Sequence, residues 1–322
     1  MRSAVRCMMA GVLAWMGGCL TLPAVPVTAL VYSPDGSALV NNGDRAIEVR
    51  SPKDATVQRR IECPLPRVAA LAFSPDGHWL VAAGGEPGVR GEAVLFSWPE
   101  GVLKHRFGKH EDLIMGVAID LAAKRLVTAS ADHSAKVWSL GDGVAPAESL
   151  ILTGHSAPVL AVAFSPGDGS IVSASADRSL KVWSAADGKL LRSLGHHTEA
   201  VHALAFRPSR EGPATCASAG DDRTVRVWQP EIGRMVRIVR NHDGPLLALA
   251  WSPDGRHLFS AGHEGLIRRI DGDSDGDSDG IGKEWGSGAD WIYALGVSPD
   301  GSTLAAGDWT GGVKLHPLPP AE

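Results

Sequence analysis

The chain of 322 residues has few cysteines and few tyrosines, and it has no excess of basic residues. Two of its four cysteines, Cys7 and Cys19, lie near the N-terminus, so only Cys63 and Cys216 remain in the body of the chain. Two cysteines so far apart in sequence cannot build a disulfide framework, and neither a CxxC zinc pair nor a CxxCH haem motif occurs. The formal net charge of −5 argues against nucleic-acid binding.

Three common signatures of catalytic and nucleotide-binding sites are also missing. The patterns HExxH, GxxxxGK and GxGxxG do not occur, and the twelve histidines are either scattered or recur at one position of a repeat. Hydrophobic residues make up 44% of the chain and charged residues 21%, which excludes a disordered chain. Tryptophan is unusually frequent, with ten residues against two tyrosines. This frequency of tryptophan requires a structural or functional explanation.

Residues 1–24 have the layout of a secretory signal peptide, because arginines precede an uncharged apolar stretch that ends in small residues. The stretch is short for a membrane-spanning helix, which needs about 20 residues, although an uncleaved anchor is one alternative. Cleavage after Ala24 would remove the leader, whereas the letters MGGC resemble a lipoprotein box that would lipidate Cys19. We predict export to the periplasm or cell envelope, with attachment through a lipid on Cys19 as one form. Besides export and an uncleaved anchor, a third alternative is a cytoplasmic protein in which residues 1–24 are not a leader.

The remaining sequence is one repeated unit. The phrase V-x-A-L-A-F-S-P-D-G recurs in variants that begin at positions 27, 68, 114, 159, 201, 246 and 292. Within a unit, hydrophobic residues alternate with period two, and turn residues separate four short strands. Such small sheets cannot bury both faces alone and must stack around an axis. The repeats predict an all-β ring, although length alone suggests two domains.

The fourth unit, GHSAPVLAVAFSPGDGSIVSASADRSLKVWSAADGKLL, resembles a WD-repeat of the β-propeller superfamily. The resemblance covers residues 27–316 and implies a seven-bladed β-propeller of four-stranded antiparallel blades in residues 25–322, after the leader. It further implies a non-catalytic scaffold for protein–protein interaction, here of the exported bacterial type. The scaffold is expected to be a monomer that uses no cofactor and binds a protein partner.

Members of this family carry a hydrogen-bonded tetrad of His, Ser or Thr, Asp and Trp in each blade. Three units contain the full set, which is His110, Thr128, Asp132 and Trp138; His155, Ser173, Asp177 and Trp183; and His197, Ser218, Asp222 and Trp228. The resemblance implies a structural role, because a fully bonded chain ties three backbone segments together. A catalytic Asp–His pair is the alternative, which recurrence in three units disfavours. Unit 6 departs at Glu264 and Ile270, and units 1, 2 and 7 lack the tetrad.

Partners of such propellers usually dock on the face formed by the loops before the first strands and the turns after the second strands. The predicted partner-binding residues on this face are Trp291, Trp309, Asp290, His263, Asp221 and Arg67. The repeat frame places Trp291 close to Trp309, and exposed Trp, Arg and His are side chains that often dominate binding energy. The alternative is that each tryptophan folds back onto its own blade.

Two alternative functions remain open. The run DGDSDGDSDG begins like a calcium loop, with Asp271, Asp273 and Asp275 as candidate ligands. Its twelfth position is Gly282, where a calcium loop requires Glu, so a solvated low-complexity turn is the simpler interpretation. The second alternative is an exported propeller enzyme of the lactonase or quinoprotein type, whose metal or cofactor residues have no clear counterpart here.

The seventh unit contains only three strands before a proline-rich tail, and proline lacks the N–H that a sheet requires. Residues 20–26 are the candidates for the missing fourth strand, since proline is tolerated on an edge strand. Cleavage after Ala24 would remove most of this segment, whereas processing before Cys19 would keep it. This hypothesis couples maturation of the chain to closure of the ring.

Overall fold

The computed structural model describes residues 25–120, 122, 124–140, 147–167, 169–208, 212–240, 242–273, 281–287 and 290–319. These residues form seven antiparallel sheets, each an up-and-down meander of strands that are consecutive in sequence. Six sheets contain four strands, and the seventh contains three in the described part of the chain. The structure confirms the predicted all-β, seven-bladed propeller. No described segment forms a helix of the length and hydropathy that crossing a bilayer requires.

Blades are numbered in chain order. The strands of blades 1 to 3 are β1 (Leu30–Tyr32), β2 (Leu39–Asn42), β3 (Ala46–Arg50), β4 (Val57–Glu62), β5 (Val68–Phe73), β6 (Trp79–Glu86), β7 (Arg90–Ser97), β8 (Leu103–His110), β9 (Ile114–Ile119), β10 (Arg125–Ser130), β11 (Ser134–Ser139) and β12 (Ala147–Thr153). Those of blades 4 and 5 are β13 (Val159–Phe164), β14 (Ser170–Ser175), β15 (Leu180–Ser184), β16 (Leu190–Leu194), β17 (Val201–Phe206), β18 (Cys216–Gly220), β19 (Val225–Gln229) and β20 (Arg234–Val239). Those of blades 6 and 7 are β21 (Leu246–Trp251), β22 (His257–Gly262), β23 (Leu266–Asp271), β24 (Ile281–Ser287), β25 (Ile292–Val297), β26 (Thr303–Asp308) and β27 (Val313–Pro317).

The first strand of every blade contacts the first strands of both neighbouring blades, including β25 with β1. First strands are therefore innermost, and the ring closes between blades 7 and 1. The sequence explains this order, because first strands such as β13 (VLAVAF) are apolar throughout. Fourth strands such as β4 (VQRRIE) expose most of their side chains. A gradient from apolar to polar strands within each repeat thus sets the direction from axis to circumference.

The hydrophobic core is divided into layers between neighbouring blades. Among the described residues, each cluster of buried side chains draws on two consecutive blades. The layer between blades 4 and 5, for example, joins Leu180 to Trp228 and contains Cys216, while Cys63 lies between blades 1 and 2. Both cysteines are free. A single blade has no core of its own and is stable only against its neighbours.

A buried chain of hydrogen bonds joins loop, strand and turn within blade 3. The Trp138 indole N–H donates to Thr128 Oγ1 at 3.0 Å. The Thr128 hydroxyl is 2.8 Å from Nε2 of His110, and Nδ1 of His110 is 2.7 Å from Asp132 Oδ2. An ionised carboxylate only accepts, so the ring hydrogen of His110 is on Nδ1 and Nε2 accepts from the hydroxyl.

Blades 4 and 5 repeat these contacts at 2.7 to 2.8 Å, with His155, Ser173, Asp177 and Trp183, and with His197, Ser218, Asp222 and Trp228. The histidine side chains are at most 2% exposed. Burial opposes ionisation of Asp177, but hydrogen bonds from Ser179 and His155 lower the pKa of its carboxyl to about 2. Burial lowers the pKa of His155. These histidine rings are buried as well as hydrogen-bonded, so a solute has no direct access to them.

Blade 1 uses one asparagine to fix its first strand. Oδ1 of Asn42 accepts the N–H groups of Thr28 and Ala29, and Nδ2 donates to the carbonyl of Pro26 at 2.8 Å. The next residue, Val27, donates its N–H to the carbonyl of Asp308 in blade 7 at 3.0 Å. These bonds tie the start of the propeller to its last blade.

The proposed closing strand, residues 20–26, falls almost entirely outside the described residues, as do Cys19 and the rest of the leader. Its last two positions, 25 and 26, are described and lie outside any strand. Closure of the seventh blade by this segment therefore stays a hypothesis.

Blade 6 departs from the tetrad. His242 still contacts Ser260, at 2.9 Å, but Glu264 replaces the turn aspartate. Its longer side chain turns to the backbone N–H groups of Asp243 and Gly244 and to Arg268 at 2.7 Å. Nδ1 of His242 is consequently buried and has no hydrogen-bond partner among the described residues. Burial lowers the pKa of His242 to about 4.

We expect this histidine to make the stability of the protein depend on pH. Its folded-state pKa is below its unfolded value of 6.5, so its contribution is full above pH 6.5 and is lost as pH falls towards 4. His242→Gln keeps a donor for Ser260 but does not titrate. The free energy of unfolding of the wild type should fall relative to this variant by about 3 kcal/mol between pH 7 and pH 4, as measured by urea unfolding. A difference in unfolding free energy between the wild type and His242→Gln that does not change with pH would contradict the lowered pKa of His242.

Candidate functional site

One backbone hydrogen bond recurs in blades 2 to 7 and brings two variable positions of each repeat together. It joins the residue before the first strand to a residue just after the second strand in blades 3 to 7, and to Gly85 near the end of β6 in blade 2. In blade 7 the N–H of Trp309 donates to the carbonyl of Trp291 at 3.0 Å, and in blade 6 that of His263 donates to Pro245 at 2.9 Å. We call the face of the ring formed by these blade ends the upper face.

A β-bulge at the second residue of the first strand adds a further side chain to the upper face. In blade 7, Ile292 pairs with Asp308 and Ala294 pairs with Gly307, so Tyr293 is the extra residue. His202 occupies the same position in blade 5. Bulges turn a side chain away from the regular alternation, and both of these side chains contact upper-face residues.

The aromatic rim is the name we give to His263, Trp291, Trp309 and Tyr293. The His263 and Trp291 rings are stacked, with centroids 4.0 Å apart and planes at 13°. Trp309 lies next to Trp291, with centroids 6.3 Å apart, and Tyr293 is 5.8 Å from Trp309. Trp291 is 41% exposed and Trp309 is 50% exposed, so neither ring is folded back into the blade. The rim joins blade 6 to blade 7 across the upper face.

Charged groups surround the rim. Asp221 accepts a hydrogen bond from Nε2 of His202 at 2.9 Å, which lowers the pKa of the carboxyl. Burial lowers the pKa of His263, against the attraction of Asp221. Burial raises the pKa of Tyr293, the charge of Asp290 adds to this effect, and the charge of Arg67 opposes it. All six predicted partner-binding residues therefore lie on the rim or act on it electrostatically.

Sequence reasoning missed Tyr293 and His202. The signal was present, because most units carry an apolar residue at this second position of the first strand, including Ala69, Met115 and Leu160. A polar or aromatic residue there is unusual within the repeat. That the position is a bulge, and hence faces the rim, could only be learned from strand pairing.

The Asp-rich run contributes its first residues to local contacts. Oδ1 of Asp271 accepts the N–H of Asp273, and the Asp273 carboxylate pairs with Arg207 at 2.5 Å. Asp275 lies outside the described residues. Within the part of the chain that the structure describes, no three potential ligands are grouped to hold a metal ion. The letters GxSxG also occur in this run, a pattern that forms a nucleophile elbow only where a strand turns into a helix, but its serines lie outside the described residues.

A cavity of about 820 Å³ lies between blades 6 and 7 at the opposite end of the blades. The aspartates that line it form hydrogen bonds within their own turns. Asp254 accepts the Ser252 hydroxyl at 2.5 Å, and Asp300 accepts the Ser298 hydroxyl at 2.6 Å. The cavity contains none of the predicted site residues. The candidate functional site is therefore the aromatic rim.

Comparison with known proteins agrees with this architecture. Residues 57–88, 101–139, 148–184, 188–229, 233–271 and 283–316 match the family described as WD domain, G-beta repeat. Five of these segments comprise the fourth strand of one blade and the first three strands of the next. A relative, Protein transport protein SEC13 of Cryptococcus neoformans var. neoformans serotype D, is 37% identical over 57 residues. The match covers 18% of this chain and 17% of that protein.

We expect the rim tryptophans to contribute little to folding. The double variant Trp291→Ala, Trp309→Ala should keep the free energy of unfolding within about 1 kcal/mol of the wild type, because both side chains are exposed. Trp228→Ala, which empties a fully buried site, should lose about 3 to 5 kcal/mol. Urea unfolding measures both values. Equal losses would show that the rim is part of the core.

Proposed function

Because the chain belongs to the WD domain, G-beta repeat family, we propose that it is a non-catalytic, monomeric scaffold that binds a partner protein through the aromatic rim. The observation that carries the proposal is the pair Trp291 and Trp309, adjacent and each exposed by two fifths or more. Tryptophan is enriched among the residues that dominate binding energy. A contiguous exposed aromatic surface on a folded domain is typical of an interaction site.

The rim is suited to binding because it is already ordered. Trp291 is held by the stack with His263, and its backbone N–H is bonded to Asp290 Oδ1 at 2.7 Å. The Trp309 ring contacts the rings of Trp291 and Tyr293, with centroids 6.3 and 5.8 Å apart. Side chains held in place lose little conformational entropy when a partner docks. The rim therefore supports binding in its present conformation.

A scaffold is favoured over an enzyme by the state of the polar residues. The His–Asp pairs of blades 3 to 5 are buried, with histidine side chains at most 2% exposed, so a substrate in solution would not reach them. The fungal relative is named as a protein transport protein, and such a role would be one use of a scaffold.

The partner is expected to depend on the two tryptophans. In affinity capture followed by binding measurements with the purified partner, Trp291→Ala plus Trp309→Ala should weaken binding by about 30-fold or more, the factor typical of a hot spot. The matched control is Leu191→Ala plus Val236→Ala, which removes side chains of similar exposure from the outer strands β16 and β20. A partner that is lost with the control but kept by the tryptophan variant would overturn the proposal.

Export is part of the same proposal and is supported by residues 1–24 alone. A bacterial-type envelope scaffold would carry a lipid on Cys19 or begin after Ala24. In the lipidated form, residues 20–26 remain and are available to complete blade 7. Each matched segment of the family begins with the fourth strand of one blade and continues into the next blade. By the same pattern, the unit that contains blade 1 would begin with a strand before residue 25, which is compatible with closure of blade 7 by residues 20–26.

Intact-mass measurement of the protein from fractionated cells tests the leader. We expect a chain in the envelope fraction that begins at lipidated Cys19, since this start retains the closing segment. A chain that keeps Met1 in the cytoplasm would contradict export. A start at residue 25 together with a four-stranded seventh blade would exclude closure by residues 20–26.

A further inference from the structure

We propose that the aromatic rim receives a cationic side chain, an arginine or a lysine, from the partner protein; this inference rests on the proposed function. The ring planes of Trp291 and Trp309 are inclined at 52°, with centroids 6.3 Å apart. His263 stacks on Trp291, which is nevertheless 41% exposed. The faces of indole rings carry negative potential and attract cations.

Elsewhere in the described chain, four aromatic rings contact a cation of the protein itself. The pairs are Arg59 over Trp98, Arg125 over Phe164, Lys136 over Trp138 and Arg207 over Trp251, at 5.3 to 6.0 Å. None of the cation–π contacts found among the described residues involves Trp291, Trp309 or Tyr293. The exposed rings of Trp291 and Trp309 are therefore free of such internal contacts within the described chain and can receive a cation from a partner.

The charges around the rim have the sign that favours a cation. Gly244 lies beside His263, since a Cβ built on it would be 3.4 Å from the His263 Cβ, and the adjacent Asp243 side chain is 92% exposed. The charged groups at or beside the rim, apart from histidines, include the carboxylates of Asp221, Asp243, Glu264 and Asp290 and the guanidinium groups of Arg67 and Arg268. Among these six groups, carboxylates outnumber guanidinium groups.

Arg268 does not cancel this excess. Its guanidinium is shared between Glu264 at 2.7 Å and Asp243 at 3.5 Å, so that two carboxylates are balanced by one cation. A purely apolar partner would have to remove water from these carboxylates without replacing the lost hydrogen bonds. An anionic partner would be repelled. A cationic side chain meets both the ring faces and the carboxylates.

The test uses the purified protein and small probes. Nα-acetyl-arginine amide and Nα-acetyl-lysine amide are titrated while the indole N–H resonances of Trp291 and Trp309 are followed by NMR, after assignment with Trp291→Phe and Trp309→Phe. We expect saturable shifts of both resonances at millimolar probe, and the arm with the larger affinity identifies the side chain. The uncharged isostere Nα-acetyl-citrulline amide and the anionic Nα-acetyl-glutamate amide should cause no comparable shifts.

Charge variants separate electrostatic attraction from simple stacking. Asp243→Asn plus Asp290→Asn should weaken binding of the cationic probe by about fivefold, and the amide oxygen that replaces the Asp290 carboxylate can still accept the Trp291 N–H. The matched control is Glu100→Gln plus Glu231→Gln, which makes the same change in net charge at exposed turns between third and fourth strands. It should leave binding unchanged.

The outcomes distinguish this inference from the proposed function. Binding of citrulline equal to that of arginine, preferential binding of the glutamate probe, or equal weakening by both charge variants would each overturn the cation proposal. If the partner is nevertheless lost with Trp291→Ala plus Trp309→Ala, the rim remains the docking surface, and only the inference that it receives a cationic side chain is wrong. If that variant keeps the partner, the proposed function itself fails.

Discussion

The structure depends on one constraint, which is that a four-stranded blade cannot bury both of its faces by itself. Each blade covers its apolar faces only against its two neighbours, and the core accordingly consists of layers between blades instead of one centre. Stability is then cooperative around the ring, and closure between blades 7 and 1 becomes a requirement. The layer at this junction rests on few residues, among them Val27, Leu39 and Ala305. The backbone bond from Val27 to Asp308 lies at the same junction.

The buried polar chains of blades 3 to 5 solve a second problem that the architecture creates. Loops and turns at the upper face must be held in register with the strands below them, without leaving polar groups unpaired. Trp183, Ser173, His155 and Asp177 achieve this by satisfying one another in sequence. Blade 6 shows the result of one substitution, since Glu264 bonds elsewhere and His242 keeps an unpaired nitrogen. The framework tolerates such a departure because neighbouring blades still cover it.

The rim follows from the same framework. One backbone bond per blade places the residue before the first strand against the residue after the second strand, and a bulge adds a third side chain. In blades 5 to 7 these positions belong to none of the buried clusters, so their side chains can vary there without loss of packing. Blades 6 and 7 use this freedom to expose Trp291 and Trp309, while carboxylates gather around them. A rigid ring thus supports a surface that is specific to this chain.

The sequence by itself determined the fold class and the number of blades, because the alternation of apolar residues and the Pro-Asp-Gly turns are local signals that recur along the chain. It also indicated that Trp291 and Trp309 lie at the same end of the ring, since the first precedes a first strand and the second follows a second strand of the same repeat. Only the tertiary structure decided that His263 stacks on Trp291 and that Tyr293 and His202 join the surface. These contacts cross from one blade to another or arise at a bulge, and both depend on strand pairing and on the angle between neighbouring sheets. Such geometry is set by packing around the whole ring, which no local pattern of residues encodes.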